Sequence, residues 1–183
     1  AYGIMDASRA YAAIHAPTSW EEVEQAKRRL VFEEFFVFSA GLSLLRAKRA
    51  TKAVEPYKRT YLDHFYKALP FTLTGAQTRA IEEIIADLRS GKPMNRLVQG
   101  DVGSGKTMVA AAAALLAVQN GKQVAIMAPT EILAEQHFFT LGKLLEPLGV
   151  RLCLLTGSMK TKEKRLFREA IAAGQIHVVI GTH

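Results

Sequence analysis

Eight residues, GDVGSGKT from Gly100 to Thr107, combine the types and spacing that phosphate chemistry asks for. Glycines at 100, 103 and 105 let the chain bend so that successive backbone N–H groups point inward, and no Cβ blocks an approaching oxyanion. Lys106 can reach the β- and γ-phosphates of a nucleoside triphosphate, and the Thr107 hydroxyl can ligate Mg²⁺. Gly100, Gly105, Lys106 and Thr107 satisfy the G-x-x-x-x-G-K-[ST] pattern, with Asp101, Val102, Gly103 and Ser104 as the intervening loop. An apolar stretch, NRLVQG, precedes the loop as an expected strand. KTMVAAAAALLAVQNG follows as an expected helix, whose positive dipole end would face the phosphates. The sequence therefore predicts a site for ATP with Mg²⁺, with Lys106 and Thr107 as candidate catalytic residues and Thr107 as the metal ligand. GTP is the weaker choice, because no N-K-x-D guanine signature is present.

Phosphoryl transfer on such a loop also needs an acid at the end of an apolar strand, to hold the Mg²⁺. No Asp or Glu fits. TYLDHF precedes the loop in a helical context, and VFEEFF belongs to a long helix. Asp101 lies inside the loop, and Glu131 begins a helix. The expectation is a chain that grips nucleotide but does not hydrolyse it usefully.

The elements that must position the loop divide near Leu69 and Pro70. Residues 1–68 are expected to be a helical linker region. TSWEEVEQAKRRLVFEEFFVFSAGLSLLRAKRA opens with Ser19 and Glu22 at capping-box spacing, and its apolar residues recur at helical intervals as a packing stripe. Glu24 and Arg28 are placed to pair on the other face. RAKRATKAVEPYKRTYLDHFYKALP is a basic connector broken at Pro56. Residues 69–183 alternate helix and strand: TGAQTRAIEEIIADLRSG, NRLVQG, the loop and its helix, QVAIMAP, TEILAEQHFFTLGKLLEPLG, VRLCLL, KTKEKRLFREAIAAG and IHVVIG. Repeated strand–helix units with apolar strands predict a parallel sheet covered by helices. The fold class is α/β, preceded by a helical extension.

Composition excludes several classes. No apolar run is long enough to span a bilayer, and AYGIMDASRAY lacks the basic start and apolar centre of a signal peptide, so a soluble intracellular protein without a membrane partner is the default. The single cysteine, Cys153, allows no internal disulfide and is expected to be a buried strand residue. The five histidines show no metal-ligand spacing. A net charge of +7 and a pI near 9.6 suit a polyanionic partner such as nucleic acid.

LPFTLTGAQ, PMNRLVQGDVGSGKT, APTEILAEQH, LLTGSMK and VVIGTH occur in this order in superfamily 2 DNA helicases. The sequence resembles most closely the RecG family of bacterial branch-migrating helicases. IHAPTSWEEVEQAKRRLVFEEFF also looks like the long helix that joins the DNA-gripping wedge to the motor in that family. The resemblance covers nearly the whole chain from about Ile14.

It implies a RecA-like P-loop NTPase sheet, incomplete at the C-terminus, as the first part of motor domain one. It implies ATP and Mg²⁺ as cofactors, forked or branched duplex DNA as partner, and a bacterial cytoplasmic location. Residue by residue, it implies Gln77 near the adenine and DNA-backbone contacts at Pro129 and Thr130, at Thr156, Gly157 and Ser158, and at Gly181, Thr182 and His183. It further implies that the missing acid, a D-E-x-H element, follows this chain with the second motor domain. The chain then reads as an inactive fragment prone to self-association along an unpaired strand edge, of a parent expected to be monomeric. Two rivals stand beside this: another P-loop NTPase, such as a transporter ATPase, a nucleotide kinase or the transcription-repair coupling translocase, and a non-catalytic nucleotide-binding module.

Overall fold

In the computed structural model, which describes residues 3–50 and 53–182, the chain divides into a unit through Lys52 and a second from Ala53 onward. The first unit holds helices α1 (Ala7–His15) and α2 (Trp20–Ala50). Asp6 caps α1 by accepting the Ser8 and Arg9 N–H groups. Ser19 accepts the Glu22 N–H at 3.2 Å, but the expected reciprocal half of that capping box shifts by one residue. The Glu22 carboxylate instead takes the hydroxyl and the N–H of Thr18, at 2.6 and 2.9 Å. These two bonds, with Arg9 nearby, hold it below the usual carboxylate range.

Ion pairing on α2 also differs from expectation. Glu24 pairs with Lys27 at 3.2 Å rather than with Arg28, and Arg29 pairs with Glu33 at 3.1 Å. Ala10, Ala13 and Ala26 form the contact between the two helices. The aromatic stripe remains exposed within this unit, with Trp20 85% and Phe35 66% accessible. Beyond Leu30 the reason is length. The nine residues of α1 span about 14 Å, against about 46 Å for the 31 of α2.

The second unit contains α3 (Asp63–Ala68), α4 (Gly75–Arg89), α5 (Lys106–Gln119), β1 (Val124–Met127), α6 (Glu131–Leu145), β2 (Leu152–Leu155), α7 (Thr161–Ala172) and β3 (Val178–Gly181). The three strands form a parallel sheet in the order β1-β3-β2. Val124, Val178 and Leu152 lie in register, as do Ile126, Ile180 and Leu154. These six side chains share one face by the two-residue strand period, and they pack with Leu115 and Leu116 of α5 and Leu141 and Leu145 of α6 in the main core. Cys153 points to the opposite face and is buried, and burial pushes its thiol up. No helix among the described residues is long and apolar enough to cross a membrane.

Two expectations are corrected. NRLVQG carries no strand among the described residues, and Leu97 is 86% exposed. An extended segment becomes a strand only through a ladder partner, and β1, β2 and β3 pair only with one another. Arg96 ties this stretch to α4 instead, through Asp87 at 2.8 Å and through Glu83.

The second correction concerns residues 53–68, expected to belong with the linker. They fold with the second unit, because Leu62 and Phe65 are 4% and 0% exposed within its core. Asn120, at the end of α5, clamps the segment. Its Oδ1 accepts the Lys58 and Arg59 N–H groups at 2.9 and 3.0 Å, while its Nδ2 donates to the carbonyls of Arg59 and Leu116. Asn120→Ala gives the exposed Lys58 and Arg59 backbone groups over to water and is expected to cost about 0.5–1.5 kcal/mol. Urea unfolding checks the loss, and limited proteolysis should show new cleavage near Lys58.

Candidate nucleotide-binding loop and strand-end contacts

The Gly100–Thr107 loop is shaped by glycines at the positions where the backbone leaves the usual region. Gly103 and Gly105 take φ of +81° and +77°, where a side chain would be strained. Gly105 is the N-cap of α5, and no side chain caps that helix, in contrast to Asp6, Thr74 and Thr130 at α1, α4 and α6. The positive end of α5 therefore opens onto the loop, as anion binding requires. Lys106 Nζ donates to the Gly100 and Asp101 carbonyls at 2.7 Å each and lies 3.4 Å from Ser104 Oγ. Asp101, Val102, Gly103 and Ser104 are exposed, and Thr107 is half-buried in the first turn of α5.

Gln77 is brought to the loop itself. Its Oε1 accepts the Thr74 N–H at 2.8 Å, completing the capping box of α4, and its Nε2 donates to the Ser104 carbonyl at 2.8 Å. One amide thus fastens α4 to the phosphate loop. A Cβ at Gly105 would displace that amide from the loop, so a side chain there would disturb the Gln77 bond as well as strain the positive φ. Beside the start of α4 is a cavity of about 610 Å³ whose lining includes Tyr66, Pro70, Phe71, Thr72, Thr78 and Glu82. Burial, then the charges of Glu82 and Asp63, raise the Tyr66 pKa above the usual phenol value.

The second group gathers at one edge of the sheet. Met127, Gly181 and Leu155 are in register at the C-terminal ends of the strands, so the segments that follow emerge side by side. After β1 come Pro129 and Thr130, both exposed, and Thr130 Oγ1 accepts the Leu133 N–H at 3.3 Å as the cap of α6. After β3, Thr182 is half-buried and donates its N–H to the Leu155 carbonyl; Gly181 is buried, and His183 lies outside the described residues. After β2, Thr156 is 5% exposed, with its hydroxyl 3.2 Å from Ser158 Oγ. The exposed part of that turn is Gly157 and Ser158.

Two participants have no sequence signal, since their partners are distant or on another element. The Glu131 carboxylate accepts the Ser158 N–H at 2.8 Å, and Lys164 donates to the Gly157 carbonyl at 2.6 Å. Lys164 comes from KTKEK, which reads in sequence as the wet face of a helix. Among the described residues, no cluster of three or more His, Cys, Asp or Glu is placed to hold a metal ion.

The model of the DEAD/DEAH box helicase family matches residues 74–183, from the cap of α4 through the loop and all three strands. The chain belongs to the DEAD/DEAH box helicase family. Among other members, it is 44% identical to the ATP-dependent DNA helicase RecG of Bacillus subtilis, over 100% of this chain and 27% of that protein. It is 42% identical to RecG of Escherichia coli K12, over 99% of this chain and 27% of that protein. A solved structure of RecG bound to a three-way DNA junction superposes with a TM-score of 0.84 at 40% identity, covering 100% of this chain and 25% of that one. The likeness to RecG read from the motifs is borne out, and with it a helicase α/β fold whose parallel sheet is incomplete. The chain spans about a quarter of the length of these DEAD/DEAH box relatives.

Proposed function

We propose that this chain is the nucleotide-gripping part of an ATP-dependent DNA helicase that remodels branched DNA in recombination and repair. The observation that carries the proposal is the Gly100–Thr107 loop, with Lys106 drawn across it and the uncapped end of α5 behind it. These residues fit Mg-ATP. The ammonium can exchange two carbonyls for phosphate oxygens, the helix end adds N–H donors, and the Thr107 hydroxyl supplies a hard oxygen for Mg²⁺. The metal, when bound, neutralises charge developing on the phosphates. Gln77 keeps the loop registered on α4, next to the cavity lined by Phe71 and Thr72, which offers room for a base.

The DNA part of the proposal rests on the shared sheet edge and on the net charge of +7. Thr130, Gly157, Ser158 and Thr182 offer hydroxyls and backbone groups, which hold phosphates without reading bases, as a translocating motor needs. The junction-bound RecG relative supports forked or branched duplex as the partner. Binding of Mg-ATP by calorimetry and of labelled forked DNA by anisotropy tests the proposal. Both are expected, with DNA affinity falling steeply between 50 and 200 mM salt, as about 10³-fold or more for six phosphate contacts. ATP binding without any DNA binding at low salt would instead favour a nucleotide-binding module.

A further inference from the structure

Strands β1 and β2 are not neighbours, because β3 lies between them. The segments leaving β1 and β2 therefore start about 9–10 Å apart, two strand spacings. One side chain nevertheless joins them. Glu131, the first residue of α6 after β1, reaches the turn after β2, where its Oε1 accepts the Ser158 N–H at 2.8 Å. In strand order β3, with Thr182 after it, lies between the two segments so joined.

Two further observations show that the turn is built around this bridge. A Cβ at Gly157 would lie 3.0 Å from Glu131 Oε1, so the absence of a side chain at 157 makes room for the carboxylate. From the other side Lys164 Nζ holds the Gly157 carbonyl at 2.6 Å. The peptide groups of the turn are thus gripped by an anion at an N–H and by a cation at a carbonyl. Ser158, through its side chain and then its N–H, keeps the Glu131 carboxyl below the usual range, with Lys164 adding to the effect, so it is ionised at neutral pH.

We propose that Glu131 is a positioning residue: its carboxylate fixes the Gly157–Ser158 turn so that this turn and Thr130 meet a nucleic-acid backbone as one surface. The proposal rests on the DNA-binding edge described above. Lys164 offsets the charge that Glu131 brings, so the bridge adds no net negative charge to the edge.

The test compares Glu131→Gln with Glu131→Ala beside the wild type. The two variants carry the same charge, so the simple loss of an anion near DNA cancels between them, while only glutamine keeps an acceptor at the turn. Anisotropy with a labelled forked oligonucleotide is expected to show the alanine variant binding about 5- to 10-fold more weakly than the glutamine variant, the effect of one well-placed hydrogen bond. Its plot of log affinity against log salt should be shallower by about 0.7–0.9, one phosphate contact. Mg-ATP affinity and melting temperature should agree between the variants, which separates positioning from a loss of fold. The Ser158 amide should exchange slowly in the wild type and the glutamine variant and fast in the alanine variant. If the wild type binds DNA and the two variants bind it equally, with equal salt slopes, the positioning role is overturned. Equal Ser158 exchange in all three chains overturns the bridge itself. Absence of DNA binding by the wild type removes the DNA reading and the positioning role together.

Discussion

Lys106→Ala is expected to weaken Mg-ATP binding by about 100- to 1000-fold, two charge-assisted bonds of about 1.5–3 kcal/mol each less the part that water replaces. The Lys106 ammonium rests on the Gly100 and Asp101 carbonyls at 2.7 Å. It therefore crosses the space that phosphates must enter, already aimed by the first turn of α5. Alanine removes that charge and leaves two exposed carbonyls facing an incoming polyanion. Lys106 is itself exposed, so stability should change by less than about 1 kcal/mol. Calorimetric titration of the two chains, with melting curves as a control, measures both. An arginine at 106 should rescue little, since its planar fork does not replace a compact ammonium in a tight loop. Unchanged affinity in the alanine variant would mean that nucleotide phosphates do not use this loop.

Gly181→Ala should produce the largest loss of stability, about 3 kcal/mol or more, at the upper end of overpacking costs. A Cβ at 181 would stand 2.0 Å from the Leu155 carbonyl oxygen and 3.1 Å from its carbon. Both atoms are backbone, in the strand registered beside it, so no side chain can rotate away. Relief requires β2 and β3 to separate at their C-terminal ends, which loosens the Thr182–Leu155 hydrogen bond and the Ala128–Gly181 bond at 2.8 Å. Those bonds position the segments proposed to meet DNA, so nucleic-acid affinity should fall with stability. Gly142→Ala is the matched control: its nearest contact is the Glu146 carboxylate at 3.7 Å, and alanine favours a helix interior. Urea midpoints that coincide for the two variants would contradict the packing described for Gly181.

Much of the site was legible because its determinants are local. The phosphate loop, the cap at Thr74 and the cap at Thr130 are each written within a few residues of sequence. The apolar runs VAIM, LCLL and VVIG likewise mark their own strands. What escaped depends on partners distant in sequence. The strand expected at NRLVQG needs a neighbour that the sequence pattern cannot name. The place of residues 53–68 was decided by Asn120, some 60 positions away. The bond by which the Gln77 amide fastens α4 to the loop joins it to Ser104, 27 positions along the chain. Glu131 looked only like the first turn of a helix because Ser158 is equally far.

The strand order has a consequence in time. β3 is made last of the three strands, yet it is the one between the other two. On a ribosome adding about 5–20 residues per second, β1 waits roughly 3–10 seconds for the partner 54 positions later. During that interval Val124 and Ile126 can pack against α5 and α6 but can complete no ladder. Nascent β1 and β2 are thus two half-finished edges waiting for opposite sides of one late strand, and a chaperone that shields them until Gly181 emerges would raise the yield of folded chain.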